Sequence, residues 1–168
     1  MIFRRKQAFY VNARAIIERI TDSGTEVLVQ VRTKPGEPQT LEFPGGQLDP
    51  FESITDALRR EVQEETGLII TAFVDALNET VTVAPDADVE CLTPSFVYQT
   101  RRGPVDSVGF FFRVRAGGEL TRKGDHAGRH QWLTLEELRH RLSATPQAFN
   151  WLTQAAAEHY LKAVDVGR

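Results

Sequence analysis

GQLDPFESITDALRREVQEETGL, running from Gly46 to Leu68, combines helical spacing, a glycine entry and a glycine stop in 23 residues. It holds Glu61, Glu64 and Glu65 at helical spacing, between a glycine-rich turn and the stop glycine Gly67. At about 100° per residue, Glu64 lies roughly −60° and Glu65 roughly +40° from Glu61. Ile54, Ala57 and Leu58 fall on that same face, while Asp56, Arg59 and Gln63 point away. The carboxylates therefore continue the face that packs inward, where a purely structural helix would carry leucines. Uncompensated carboxylates in a low-dielectric site repel one another and shift their pKa values upward. A divalent cation removes that cost, because hard oxygen ligands suit Mg²⁺ or Mn²⁺. The alternative is a solvated acidic face with Arg59 and Arg60 as partners. The coincidence of the apolar and acidic stripes weighs against it.

Outward from this helix, local signals mark the neighbouring elements. Ser53 with Asp56 has capping-box character and sets the helix start, and Gly67 is a natural residue to end it. Ahead of the helix, Leu41 to Phe43 reads as a short strand running into Pro44-Gly45-Gly46, where glycines let backbone approach a ligand closely. Further upstream, Ala8 to Ile20 and the alternating Glu26 to Arg32 read as an antiparallel pair joined at Asp22-Ser23-Gly24. Downstream, Leu68 to Ala76 reads as a strand, Val81 to Cys91 as an acidic loop, and Ser95 to Thr100 and Ser107 to Arg115 as two more strands. Thr121 to His130 reads as a polar loop. Thr134 with Glu137 forms a capping box for the next helix. Thr145-Pro146 is expected to start a final helix, with proline at its first position. Phe149, Leu152, Ala156, Tyr160 and Ala163 give it an apolar stripe that docks on the body.

Composition sets the bounds. A chain of 168 residues, 41% hydrophobic and 26% charged, suits one globular domain over residues 1–168. A net charge of −3 argues against a nucleic-acid polymer or an anionic membrane as partner. An anionic substrate would need local positive charge. The single cysteine, Cys91, excludes an intrachain disulfide and reads as a small, partly buried residue. The early basic residues precede no long apolar run, so neither a signal peptide nor a membrane span is expected, and a cytoplasmic location is.

The Gly46–Leu68 stretch resembles the Nudix box, G-x5-E-x7-R-E-U-x-E-E-x-G-U with U a bulky aliphatic residue. Gly46, Glu52, Arg60, Glu61, Val62, Glu64, Glu65, Gly67 and Leu68 stand at its fixed positions. LEFPGG ahead of it and QWLTLEEL (Gln131 to Leu138) behind it also look like the family. The resemblance implies an α/β fold, a Nudix-type α/β/α sandwich with a mixed sheet, here with an extra C-terminal helix. It implies hydrolysis of a nucleoside diphosphate linked to another group X. FPGG looks more like the members acting on nucleoside triphosphates, oxidised ones included. Members acting on nucleotide sugars, ADP-ribose or dinucleoside polyphosphates remain the alternative, as does a non-catalytic nucleotide-sensing domain.

By the same resemblance, Glu61, Glu64 and Glu65 bind Mg²⁺ (or Mn²⁺), with the Gly45 carbonyl as a further contact. Arg60 orients the glutamates and pairs with Glu52. The general base in the family is either a box glutamate, here Glu64 or Glu65, or an acidic residue on a distant loop. The loop before Trp132 reads GDHAGRHQW, without the glutamate often found there, which leaves Asp125 or His126 as stand-ins and favours a box glutamate. His126 and His130 are spaced like a zinc-binding pair, but Gly128 between them argues for loop. Arg32, Arg101 and Arg102 are candidates for phosphate binding. Phe9, Tyr10, Phe96 and Tyr98 could stack on a base, or belong to the core. Members of the family are often dimers, so a homodimer is open.

Overall fold

The computed structural model describes residues 8–121, 123–124 and 127–166. In chain order the elements are β1 (Phe9–Thr21), β2 (Gly24–Arg32), β3 (Leu41–Glu42), β4 (Gly45–Gln47), α1 (Ile54–Thr66), β5 (Ile69–Phe73), β6 (Thr80–Val83), β7 (Asp88–Cys91), β8 (Phe96–Gln99), β9 (Asp106–Gly117), β10 (Lys123–Gly124), β11 (Ala127–Thr134), α2 (Leu135–Ala144) and α3 (Trp151–Val166). One mixed sheet runs β10-β11-β2-β1-β9-β5, with β3 on β2, β4 on β1 and β8 on β9. The β1–β9 pair is parallel, and β1 meets β2 and β4 antiparallel.

Alternation along β1 sorts the two faces. Ala13, Ala15 and Ile17 pack with Ala57, Leu58 and Val62 of α1. Ile16, on the other face, packs with Leu138 of α2 and with Leu152, Ala156 and Tyr160 of α3. The sheet thus carries α1 on one face and α2 with α3 on the other, which is the α/β/α sandwich. Among the described residues no helix is long and apolar enough to cross a membrane.

The local caps form as their residue types dictate. The Ser53 hydroxyl accepts from the Asp56 N–H, and Gly67 closes α1 with φ 77°. Thr134 and Glu137 complete their reciprocal box at the head of α2.

Four expectations are corrected. The acidic stretch after Thr80 is not a loop but a two-stranded hairpin, β6–β7, separate from the main sheet. Its β-branched run Thr80–Val83 favours strand, and Pro85-Asp86 turns it, with the Ala84 N–H donating to the Ala87 carbonyl at 3.0 Å. Cys91, at its end, is exposed. The polar stretch before Trp132 is strand from Ala127 onward; Asp125 and His126 lie outside the described residues. The last helix starts at Trp151, not at Thr145-Pro146. Pro146–Ala148 forms one 3₁₀ turn, and Phe149 then extends to bridge Leu41. Burial of Phe149 and the cap made by the Asn150 side chain, which accepts from the Thr153 N–H at 2.7 Å, fix the later start. Ala163 is exposed, and Ala157 and Leu161 are buried instead.

Candidate active site

Two glycines draw the turn against its neighbours. Gly45 opposes Arg14 and Gly46 opposes Ala13 in the β1–β4 register. The Gly45 φ of 134° lies where side chains are strained, and a Cβ there would stand 2.6 Å from the Arg14 Cα. A Cβ on Gly46 would stand 2.5 Å from the Glu61 carboxyl carbon. Pro44-Gly45-Gly46 therefore seats bare backbone against a carboxylate of α1.

Arg60 is the hub of the box. Its Nε and Nη2 donate to the two oxygens of Glu52, at 2.8 and 2.9 Å, a bidentate pair. Nη2 also reaches the Gln47 carbonyl at 3.1 Å. Nη1 donates to Glu61 at 2.7 Å and to Glu64 at 3.4 Å. The Asp49 N–H donates to Glu52 as well, at 2.9 Å. Hydrogen bonding from Arg60 holds the Glu52 carboxyl down at about 2. The sequence places Arg60 beside the glutamates; the structure has it bind three of them and β4.

The three box glutamates are not equivalent. Glu64 is half exposed, so it does not continue the buried face as Glu61 and Glu65 do. Glu61 is pushed up by burial, against the pull of Arg60. Glu65 is raised to about 7, first by burial and further by the neighbouring Glu42 charge. Its Oε2 accepts from the Gly45 N–H at 2.8 Å and from the Gln30 amide at 2.7 Å. Gly45 thus touches the site through its N–H.

Behind Glu65 stands a polar network absent from the sequence reading. Glu42, 2% exposed, accepts from Gln30 at 3.5 Å, Arg32 at 3.3 Å and Asn150 at 3.0 Å. The Gln30 Oε1 is buried without a partner. Two signals could have found it. Gln30 interrupts β2 on the α1 face, and Glu42 is a charge between two buried hydrophobes in LEF.

A cavity of about 880 Å³ opens on the α3 side of β1 and is lined by Tyr10, Asn12, Arg14, Gln47, Tyr98 and Trp151, among others. Arg32 also lines it, tied to Glu37 at 2.6 Å as well as to Glu42. Arg101 and Arg102 sit exposed on the turn after β8 and do not line it. Of the aromatic candidates, Tyr10 and Tyr98 line the cavity, Phe96 stacks on the core Phe111 at 4.8 Å, and Phe9 is exposed. His130 Nε2 lies 3.0 Å from the Glu65 carbonyl, and burial lowers its pKa. The zinc pairing with His126 falls outside the described residues.

The donor set fits a divalent cation in its chemistry. Glu61 and Glu65 are hard oxygen ligands whose burial disfavours their own charge. Among the described residues, however, no three acidic, histidine or cysteine side chains are already gathered around one point. Arg60 holds Glu61 and Glu64, while Gly45 and Gln30 hold Glu65.

A mixed sheet between helices, with a glutamate-bearing helix entered through a double-glycine turn, defines a known class of α/β proteins. The chain belongs to the Nudix family: the NUDIX domain matches residues 10–155. Solved structures agree in fold. The MutT NUDIX hydrolase from Burkholderia pseudomallei is 19% identical with a TM-score of 0.59, the alignment covering 90% of this chain and 98% of that one. The MutT protein from Methanosarcina mazei Go1 is 17% identical with a TM-score of 0.62, covering 94% and 96%. The NUDIX domain of Shewanella oneidensis NrtR, solved with ADP ribose, is 14% identical with a TM-score of 0.64, covering 98% and 94%. Among curated proteins none matches the chain.

Proposed function

We propose that this chain is a Mg²⁺- or Mn²⁺-dependent hydrolase that cleaves a phosphoanhydride bond of a nucleoside diphosphate linked to another group, favouring nucleoside triphosphates. The observation that carries the reading is the pair of desolvated carboxylates, Glu61 and Glu65, packed against the glycine turn. Glu61, Glu64, Glu65 and the Gly45 carbonyl are the proposed cation ligands. The cation, when bound, supplies neutralisation of phosphate charge and activation of water. Arg60 keeps the glutamates oriented, with Glu52 fixing Arg60 in turn. A box glutamate, Glu64 or Glu65, accepts the proton of the attacking water. Arg32 is proposed to meet substrate phosphate at the cavity, whereas the positions of Arg101 and Arg102 lend them less support.

One observation favours a second reading on ADP-ribose or a nucleotide sugar. A structural neighbour, the NUDIX domain of Shewanella oneidensis NrtR, is solved with ADP ribose. The complete glutamate set weighs against a domain that only senses nucleotide.

A nucleotide panel tests the proposal. It holds canonical and oxidised triphosphates, dinucleoside polyphosphates, nucleotide sugars and ADP-ribose, read by mass spectrometry with and without Mg²⁺. Selective loss of one triphosphate, with pyrophosphate as co-product, is expected. Binding of a panel compound without consumption would contradict the hydrolase reading.

A further inference from the structure

Arg14 is a cation that the box does not account for. It stands on β1 opposite Gly45, and its stem packs where a Gly45 side chain would otherwise lie. Its Nη1 donates to the Phe43 carbonyl at 3.1 Å, and its Nε is buried without a partner. Among the described residues no carboxylate lies within ion-pair distance of it. Three other arginines near the site and sheet are neutralised in place: Arg60 by Glu52 and Glu61, Arg32 by Glu37 and Glu42, Arg113 by Glu18. A guanidinium has five N–H donors in a fixed fork that matches phosphate oxygens, and a buried donor left unmade is costly. Folding has therefore left a rigid cation short of acceptors.

Its place says what would complete it. Tyr10, Asn12 and Arg14 project from the same face of β1 and line the cavity in that order, towards the glycine turn. The Asn12 amide donates to the Tyr98 hydroxyl at 2.8 Å, which braces that wall. At the inner end, the Arg14 charge acts on both Glu61 and Glu65, favouring their ionised forms. Arg14 thus stands at the seam between an aromatic cavity and an acidic box. A ligand crossing the seam would set its phosphate against the guanidinium.

Resting on the proposed function, we infer that Arg14 is a substrate-binding residue, which grips the phosphate nearest the nucleoside while the nucleoside occupies the cavity of Tyr10, Tyr98 and Trp151. The substrate class is then a diphosphate esterified on the cavity side. A charge-assisted, partly desolvated contact of this kind changes affinity by about 10- to 100-fold.

The test is calorimetric binding in Mg²⁺ of two uncleavable probes, α,β-methylene-ADP and methylenediphosphonate, with adenosine as the uncharged control. Arg14→Gln should weaken both phosphonate probes about 10- to 100-fold and leave adenosine unchanged. Arg14→Lys should recover part of the loss, because it keeps the charge without the fork. Unchanged phosphonate binding in Arg14→Gln overturns the inference. So does an equal loss of adenosine, which marks a collapsed wall. Should Arg14→Gln fail to fold, Arg14→Lys decides: weaker phosphonate binding with intact adenosine binding supports the role, and unchanged binding sinks it. A wild-type protein that binds none of the probes overturns this inference and the proposed function together. Wild-type binding that Arg14→Gln retains overturns this inference alone.

Discussion

Two carboxylates packed at the sheet, Glu18 of β1 and Glu65 of α1, meet opposite fates. Glu18, on the α3 face of β1, accepts from Arg113 Nε at 2.6 Å and from the Tyr160 hydroxyl at 2.9 Å, with Arg115 at 4.0 Å. Its charge is answered by cations and a donor from β9 and α3, so the cluster bolts the last helix to the sheet. Tyr160, buried against that carboxylate, is held above its usual pKa. Glu65 has no ion pair: it accepts hydrogen bonds from Gly45 and Gln30, the Arg14 charge reaches it only at longer range, and Glu42 adds a second negative charge. A carboxylate that serves the fold is neutralised within the fold. One left raised to about 7 stores a demand for positive charge from outside.

Neutralising each acid in turn should have opposite effects on activity and stability. Glu65→Gln should lower kcat by several orders of magnitude and leave the melting temperature unchanged or higher, since it removes a desolvated charge. Glu18→Gln should do the reverse. Removing one partner of a fully buried pair costs about 3–5 kcal/mol. Arg113 is partly exposed, so about 2–3 kcal/mol is expected here, with kcat per folded molecule retained. Thermal unfolding and steady-state kinetics on both variants check this; parallel behaviour would erase the distinction.

A smaller effect concerns pH. Glu65 binds its proton more tightly in the folded than in the unfolded chain, where an ordinary value of 4.5 applies. The folded state therefore holds more protons between 4.5 and about 7, and its contribution to stability falls as pH rises through that window. The difference in unfolding free energy between wild type and Glu65→Gln should grow in favour of the variant from pH 5 to pH 7.5. Added Mg²⁺ should shrink it. A flat difference would place Glu65 in a wetter site than described.

The smallest effect sharpens the structural side. Thr134→Ala removes the cap of α2, far from the box, and should cost about 1 kcal/mol in denaturant unfolding with activity unchanged.

The sequence shows what is local. The box helix, its Ser53 and Gly67 caps and the Thr134–Glu137 box all rest on contacts between residues close in the chain, so spacing reveals them. Distant contacts do not show in spacing. Glu42 meets Asn150 across 108 positions, and Gln30 meets Glu65 across 35. The late start of α3 depends on the Leu41–Phe149 bridge, which no helix-start signal near Pro146 could announce. Arg14 reads as one more polar residue of an alternating strand until β4 is laid beside it. Arg101 and Arg102 illustrate the converse, since charge on a turn says nothing of whether the turn faces the cavity.

On this reading the Glu61–Glu64–Glu65 edge draws a divalent cation and the Glu18 cluster does not. Titration of Mn²⁺ into wild type, Glu65→Gln and Glu18→Gln, followed by electron paramagnetic resonance of the free ion, tests it directly. Wild type should bind Mn²⁺, Glu65→Gln should bind it about tenfold or more weakly, and folded Glu18→Gln should bind it with wild-type affinity. Equal Mn²⁺ affinity in wild type and Glu65→Gln would contradict this reading.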